Sequence, residues 1–368
     1  MLAMLARLVD IDSGSHHKSG VDRVGQAICD FLDDHNIPYD VTAHTTFGNA
    51  IRATVNGGEG RPVLLMGHRD TVFPDGEARR RPFRVEGRRA YGPGVADMKA
   101  GLVMNSFVAA ALHECGGAPA PLVVLYTADE EIGSPSSRPL IEAQARNARV
   151  VLNAEPGRPN GAIVTGRKAG IFMRFEVQGK AAHSGANFEQ GASAIAEIAH
   201  KIVALHALTD LAKGITVNVG IVAGGQTVNT VAPTAHGEID LRYIAAADRE
   251  AMTSKVEAIM DRATVPGTSA RFVVYGEFLP LLETAESKRL FDLYAECGQS
   301  VGLTVSREFT GGCSDAGFAA STGAPTICGV GPIGARAHSP DEYLELDSML
   351  PRSQALALTV VRSAAQFA

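Results

Sequence analysis

The chain has 368 residues, 45% of them hydrophobic and 20% charged, with a formal net charge of −6. That is room for about two domains of ~150 residues with ordinary soluble cores, and the acidic balance argues against a nucleic-acid partner. The five cysteines are odd in number and form no CxxC pair, so they read as reduced thiols of a cytoplasmic protein rather than a disulfide framework.

Residues 1–9 have an apolar helical pattern, but the acids arrive early and no cleavage pattern follows, unlike a signal peptide. A leader removed before the recorded start stays an open alternative. Val21, Val24, Ile28, Phe31 and Leu32 sit at helical spacing over 20–35, and Asn36-Ile37-Pro38 stops that helix. Short strands are expected at 39–43 and 49–55, followed by the turn Gly57-Gly58-Glu59-Gly60. Val63-Leu64-Leu65-Met66 is a short apolar run ending at Gly67. It predicts a buried strand that delivers His68 and Asp70 at its C-terminal mouth, the edge where open α/β sheets place ligands.

The arginine-rich interval 79–89 is interleaved with acids and apolar residues, which suits a solvated loop or hairpin. Tyr91-Gly92-Pro93-Gly94 then turns the chain ahead of Asp97 and a helical run over 99–114. Asp97 taken alone suits a helix N-cap as well as a ligand. The glycines do not continue into a dinucleotide fingerprint. An apolar strand at 121–126 ends on Asp129-Glu130-Glu131, a helix follows at 137–145, and a strand at 150–153 ends on Ala154-Glu155. Ala337-His338-Ser339-Pro340 adds a late histidine. Four strand-like ends bearing His or carboxylate are hard to explain by helix caps, and oxygen and imidazole donors suit zinc or another borderline divalent ion. No apolar stretch is read as reaching the ~18 residues of a membrane span.

After Glu155 the pattern changes. Residues 161–166 and 170–177 resemble the strands of a hairpin, a helix is expected at 191–208, strands at 215–222 and 235–243, a helix at 248–261 and a strand at 270–274. The β-α-β-β-α-β order is that of a ferredoxin-like domain. The expected architecture is an α/β domain with a mostly parallel mixed sheet and flanking helices, formed by 1–168 and 280–368. A ferredoxin-like α+β domain is inserted at 169–279, which explains how His338 joins the first cluster.

GHRDTV, GPGVADMKAG, ADEEIGS, NAEPG, GKAAHSG and AHSPDEY, in this order and spacing, resemble the M20 family of dinuclear zinc metallopeptidases over essentially the whole chain. YGPG, DEEIGSPSSRPLI and TGGCSDA are most similar to its glutamate carboxypeptidase G2 branch. The resemblance implies two Zn2+ per subunit, with Co2+ or Mn2+ as substitutes. His68 and Glu155 would hold one ion, Glu131 and His338 the other, and Asp97 would bridge both. Asp70 would orient the His68 ring, and Glu130 would be general base and then acid. The inserted domain is implied to be a lid and dimerisation element. His183 would reach the active site across a homodimer to stabilise an oxyanion, and Asn229 and Arg242 would contact substrate. Gly311 and Gly312 would let the backbone approach it.

The implied activity is cleavage of the amide between an acyl or peptidyl group and a C-terminal amino acid, with glutamate as the candidate; the alternative is an N-acyl-amino-acid deacylase of the same family. A non-catalytic binding protein would most simply show a broken base or ligand, and none is broken here. The partners expected are a small N-acyl amino acid or peptide, with no nucleic acid and no membrane. Met98 stands where that branch commonly has a second acid, Cys313 where glycine is usual, and Gly166-Arg167-Lys168-Ala169 is more basic than expected. These departures bear on glutamate specificity more than on hydrolysis.

Overall fold

The computed structural model describes residues 1–367. It divides into two compact units. One comprises Met1–Arg167, Leu281–Thr310 and the chain from Ser314 onward, and the other Lys168–Pro280 with Gly311–Cys313.

The first unit is built on an eight-stranded mixed sheet. Its centre is parallel: Val63–His68 lies between Leu122–Thr127 and Val150–Asn153, and Thr326–Cys328 continues the parallel run. All residues of the first three of these strands are buried, the signature of a sheet covered on both faces. Ala50–Val55 and Tyr39–Thr42 add an antiparallel edge, and Ile163–Arg167 with Arg307–Thr310 completes the other side. The flanking helices include Lys18–Asp34, Ala100–Glu114 and Met349–Gln366, whose apolar residues join one continuous core. Contrary to the expectation that no apolar stretch reaches the length of a membrane span, Val95–Glu114 has that length and hydropathy, but 83% of its apolar window is buried, as in a core helix.

The expected hairpin at 161–166 and 170–177 does not form. Ile163–Arg167 pairs within the large sheet, whereas Ala169–Gln178 pairs with Thr234–Tyr243 and Ser269–Phe278 in the second unit. Two adjacent β-prone runs read locally as partners, yet each buries its apolar face in a different core. The arginine-rich interval does contain a hairpin, Arg84–Glu86 with Arg89–Tyr91, and it extends into a small sheet with Tyr343–Glu345 and Gly334–Ala335.

The second unit has the strands Ala169–Gln178, Thr216–Gly224, Thr234–Tyr243 and Ser269–Phe278 and the helices Ala194–His206 and Asp248–Asp261 in β-α-β-β-α-β order. Its sheet is wholly antiparallel, with the first and third strands central, the ferredoxin-like arrangement. Ile171, Met173, Phe175, Ile198, Leu241 and Val256 belong to its separate core.

Candidate metal centre and active site

His68 is placed by the strand that carries it. Burial of Leu64, Leu65 and Met66 is worth about 1.5–3 kcal/mol per side chain, so the strand end is firmly held. A Cβ at Gly67 would fall 2.4 Å from the Met98 methyl carbon, and the Met98 thioether accepts the His68 backbone N–H at 3.2 Å. Met98 is thus fully buried packing beneath His68.

Asp70 lies beyond the strand end, yet its Oδ1 is 3.3 Å from His68 Nδ1. The same ring nitrogen is 3.0 Å from the Asp70 carbonyl oxygen. The Asp70 carboxylate also accepts the backbone N–H groups of Glu130 and Glu131, each at 3.1 Å, and the Ser15 hydroxyl at 2.7 Å. It therefore orients the imidazole and pins the tight turn Glu130–Ile132. That turn is how two adjacent glutamates come to face different neighbours.

Asp97 sits in an irregular turn ahead of the helix Ala100–Glu114, and its peptide bond to Met98 is cis. The fully buried Glu342 holds this turn by accepting the N–H groups of Gly94, Ala96 and Asp97 at 3.0, 2.8 and 2.9 Å. Asp97 then stands between two histidines: Oδ1 is 3.3 Å from His68 Nε2 and Oδ2 is 3.4 Å from His338 Nε2. His338 is also 3.2 Å from Glu131 Oε2 and has φ of 62°, a left-handed backbone that a non-glycine residue holds only when its surroundings enforce it. Around His68 Nε2, Glu155 Oε1 lies at 3.6 Å and Glu130 Oε2 at 3.9 Å. Gly101 lets its helix approach the strand end that carries Glu155, since a Cβ there would fall 2.0 Å from the Ala154 carbonyl oxygen.

The electrostatics of this cluster are those of an acid excess kept from water. Burial pushes Glu130 well above the usual carboxylate range, Glu131 up to about 7, and Glu155 upward. Burial pushes Asp97 the same way, but His338 and His68 outweigh it and hold that carboxyl low. His338 rises to about 10 beside Asp97 and Glu131. A cation placed among these groups would relieve their mutual repulsion.

Two buried atoms show where. His68 Nε2 and Glu155 Oε1 make no hydrogen bond of acceptable geometry, and such orphans cost free energy unless something else satisfies them. Ligand atoms of His68, Asp97 and Glu131 fall within 4.8 Å of one another, as do those of His68, Glu130 and Glu155. The donors are imidazole and carboxylate without thiolate, a set that fits zinc and related divalent ions.

In the second unit, His183 and Asn229 are brought side by side. Ser184 N donates to the Asn229 carbonyl at 3.0 Å, and His183 bridges to Thr230. His183 Nδ1 accepts the N–H groups of Gly185 and Ala186 at 3.1 and 3.2 Å. In the neutral ring the proton therefore sits on Nε2. Arg242 forks onto Asp240 at 2.6 and 3.0 Å and donates to Cys313 Sγ at 2.6 Å, so its guanidinium is already engaged. A Cβ at Gly311 would meet nothing within 4 Å, which leaves its backbone open to approach.

Sequence reasoning missed Glu342, Ser15 and Asp315. Asp315 is buried, accepts the hydroxyls of Ser134 and, at 3.4 Å, Thr127, and is pushed up to about 7 by burial. Glu342 and Asp315 lie inside AHSPDEY and TGGCSDA, so proximity to those motifs was the available signal; Ser15 had none.

Residues 64–362 match the family model described as peptidase family M20/M25/M40. The chain is 32% identical over 375 residues to carboxypeptidase G2 of Pseudomonas sp. (strain RS-16), covering 98% of this chain and 88% of that protein. It is 33% identical over 228 residues to acetylornithine deacetylase of Myxococcus xanthus, covering 57% of each. Its fold matches the crystal structure of an M20 family metallo-carboxypeptidase from Sulfolobus solfataricus with a TM-score of 0.84, at 17% identity and 99% coverage of both chains.

Proposed function

The chain belongs to peptidase family M20/M25/M40, and on that premise we propose that it is a two-zinc hydrolase releasing a C-terminal amino acid from an acyl or peptidyl group. The observation that carries this reading is the convergence of Asp97, Glu130 and Glu155 on the orphaned Nε2 of buried His68. His68, Asp97 and Glu155 would hold one ion, and Asp97, Glu131 and His338 the other. When bound, the pair polarises the scissile carbonyl and acidifies the attacking water.

The protein's own groups do the rest. Asp70 fixes the His68 ring and the turn at Glu130. Glu130, buried beside His68, takes a proton from the water and returns it to the leaving amine. His183, with Nδ1 occupied, presents an Nε2–H to the oxyanion. Asn229 and Arg242 contact the substrate. Arg242 must share or surrender its Asp240 partner to clamp a substrate carboxylate. Glutamate is the released amino acid that the motif resemblance favours.

A homodimer is the assembly proposed. The edge strand Thr216–Gly224 exposes Ile221 and Val222, and the helix Ala194–His206 exposes Ile195 and Val203, apolar groups that a partner would cover. The cytoplasm is the proposed compartment, on the reading of the cysteines as reduced thiols. A second reading, an N-acyl-amino-acid deacylase, is supported by the identity to acetylornithine deacetylase.

Hydrolysis of benzoyl- and folate-like glutamates, other N-acyl amino acids and dipeptides by zinc-loaded protein, each with a chelated control, tests both. Chelator-sensitive release of glutamate supports the carboxypeptidase reading. Turnover confined to small acyl derivatives supports the deacylase, and no turnover at full metal occupancy overturns both.

A further inference from the structure

In the second unit the Arg242 guanidinium is held on three sides, by a carboxylate, an aromatic ring and a sulfur from a distant part of the chain. We infer that Cys313 is a positioning residue that aims Arg242 at a carboxylate of the released amino acid. The inference rests on the hydrolase reading, in which Arg242 contacts the substrate, and adds the residue that sets the strength of that contact.

Strand register creates the place for the sulfur. On Thr234–Tyr243, Asp240 and Arg242 are two apart and share a face, and across the ladder they stand opposite Phe172 and Gly170 of Ala169–Gln178. Asp240 takes the side-on fork of the guanidinium, from Nε and Nη2 at 2.6 and 3.0 Å. Arg242 Cζ lies 5.1 Å from the centroid of the Phe172 ring, within the range of a cation over an aromatic face. Gly170 leaves the space beside Nη1 open, since a Cβ there would fall 3.0 Å from Cys313 Sγ and 3.3 Å from Nη1. Cys313 fills that space from the segment Gly311–Cys313, which packs with the second unit although the chain on either side belongs to the first. Nη1 donates to its Sγ at 2.6 Å.

What is left of the arginine suits a second carboxylate. Of the five N–H donors of a guanidinium, Asp240 takes two and Cys313 one, which leaves one on each terminal nitrogen. A substrate carboxylate can therefore join as a further charge-assisted partner while Asp240 stays in place. Without the sulfur, Nη1 loses its anchor, and each binding event must order that end of the side chain again. Alanine at 313 cannot supply the acceptor, whereas a serine hydroxyl can.

The test measures kcat and KM for N-benzoylglutamate in zinc-loaded wild type, Cys313→Ala and Cys313→Ser, and repeats the alanine change in an Arg242→Met background. Position 313 is half-buried and neither replacement is larger than cysteine, so both variants should fold and melt as the wild type does. Loss of one hydrogen bond to a charged group should raise KM about tenfold in Cys313→Ala with kcat unchanged, the mark of lost uniform binding. Serine should restore most of that loss, and in Arg242→Met the alanine change should add nothing. A KM that stays or falls in Cys313→Ala, a loss of kcat alone, or an equal penalty in the Arg242→Met background overturns the role. Calorimetric titration with glutamate, the proposed product, needs no turnover. If N-benzoylglutamate is not hydrolysed but glutamate binding weakens in Cys313→Ala and recovers in Cys313→Ser, the hydrolase reading fails and the positioning role stands. Glutamate binding that is absent from the wild type, or indifferent to the alanine change, overturns the role.

Discussion

Glu342 accepts the backbone N–H of Asp97 at 2.9 Å across 245 residues of chain. The same carboxylate holds Gly94 and Ala96, so one buried side chain fixes the turn that carries the proposed bridging ligand. Glu342→Gln keeps the volume but replaces one acceptor oxygen with a donor facing N–H groups. We expect zinc affinity to fall about 10–100-fold, as for other groups that orient metal ligands, with kcat recovering at saturating zinc. Competition against a fluorescent chelator measures this, and an unchanged affinity would remove Glu342 from the positioning role.

Glu130 faces His68 beside Glu155, so geometry alone admits it as a ligand or as a proton carrier. Glu130→Ala separates the roles. As the proton carrier its loss should cost about 10²–10⁴ in kcat while bound zinc per subunit stays the same. A parallel loss of metal in elemental analysis would make it a ligand instead.

Metal removal should cost stability as well as activity. Without a cation the orphaned His68 and Glu155 atoms and the crowded acids remain uncompensated. Zinc binding only the folded state at a free concentration of 1,000 Kd should add about 4 kcal/mol. Thermal melts of chelated protein with graded zinc should rise accordingly. A melting point indifferent to zinc would contradict the placement of the ions among these residues.

Part of the candidate site was legible in the sequence because His68, Glu131 and Glu155 stand at or just beyond the ends of apolar strands, where a run such as Val63 to Met66 announces burial and the polar residue after it stands out. The turn separating Glu130 from Glu131 was likewise readable as a chemical necessity. Pairing was not. Residues 161–166 and 170–177 look like one hairpin but serve two sheets, because each apolar face is claimed by a core assembled from distant chain. Ser15 and Glu342 act through hydrogen bonds spanning 55 and about 245 residues, which no local pattern encodes. Arg242 was expected as a clamp for substrate, and its actual fork onto Asp240 could only be seen in place.

His183 offers a test of the proposed homodimer. Its Nδ1 is taken by two backbone N–H groups, which leaves Nε2–H as the one donor the neutral ring can turn toward an oxyanion. Loss of an oxyanion donor typically costs about 10²–10³ in kcat, and His183→Ala should show that loss with little change in KM. Mixing it with Glu130→Ala should restore part of the activity in heterodimers if His183 serves the neighbouring subunit. Absence of rescue, with heterodimers demonstrated by mass spectrometry, would assign it to its own subunit.

The second unit depends on a buried pair remote from the chemistry. Glu197 and Lys201 lie one helical turn apart at 2.9 Å with side chains 0% and 3% exposed. Glu197 also accepts the N–H groups of Thr264 and Val265, and Lys201 donates to the carbonyls of Ile259, Met260 and Arg262 at the end of the helix Asp248–Asp261. Lys201→Met strands a buried carboxylate and frees those carbonyls, so we expect a loss of about 3–5 kcal/mol in denaturant unfolding of this unit. The pH dependence has a definite sign. Burial raises the Glu197 pKa, but Lys201 and the two N–H groups outweigh it, leaving the carboxyl below its ordinary value of 4.5. Its stabilisation is therefore fully present above about pH 4.5 and is lost as pH falls through the lower folded value. The gap between wild type and Lys201→Met should narrow as pH falls from 7, first as the variant's stranded carboxylate takes up a proton and then, below about 4.5, as the wild type loses its own stabilisation. A gap that widens in acid would show that the pair does not hold the unit together.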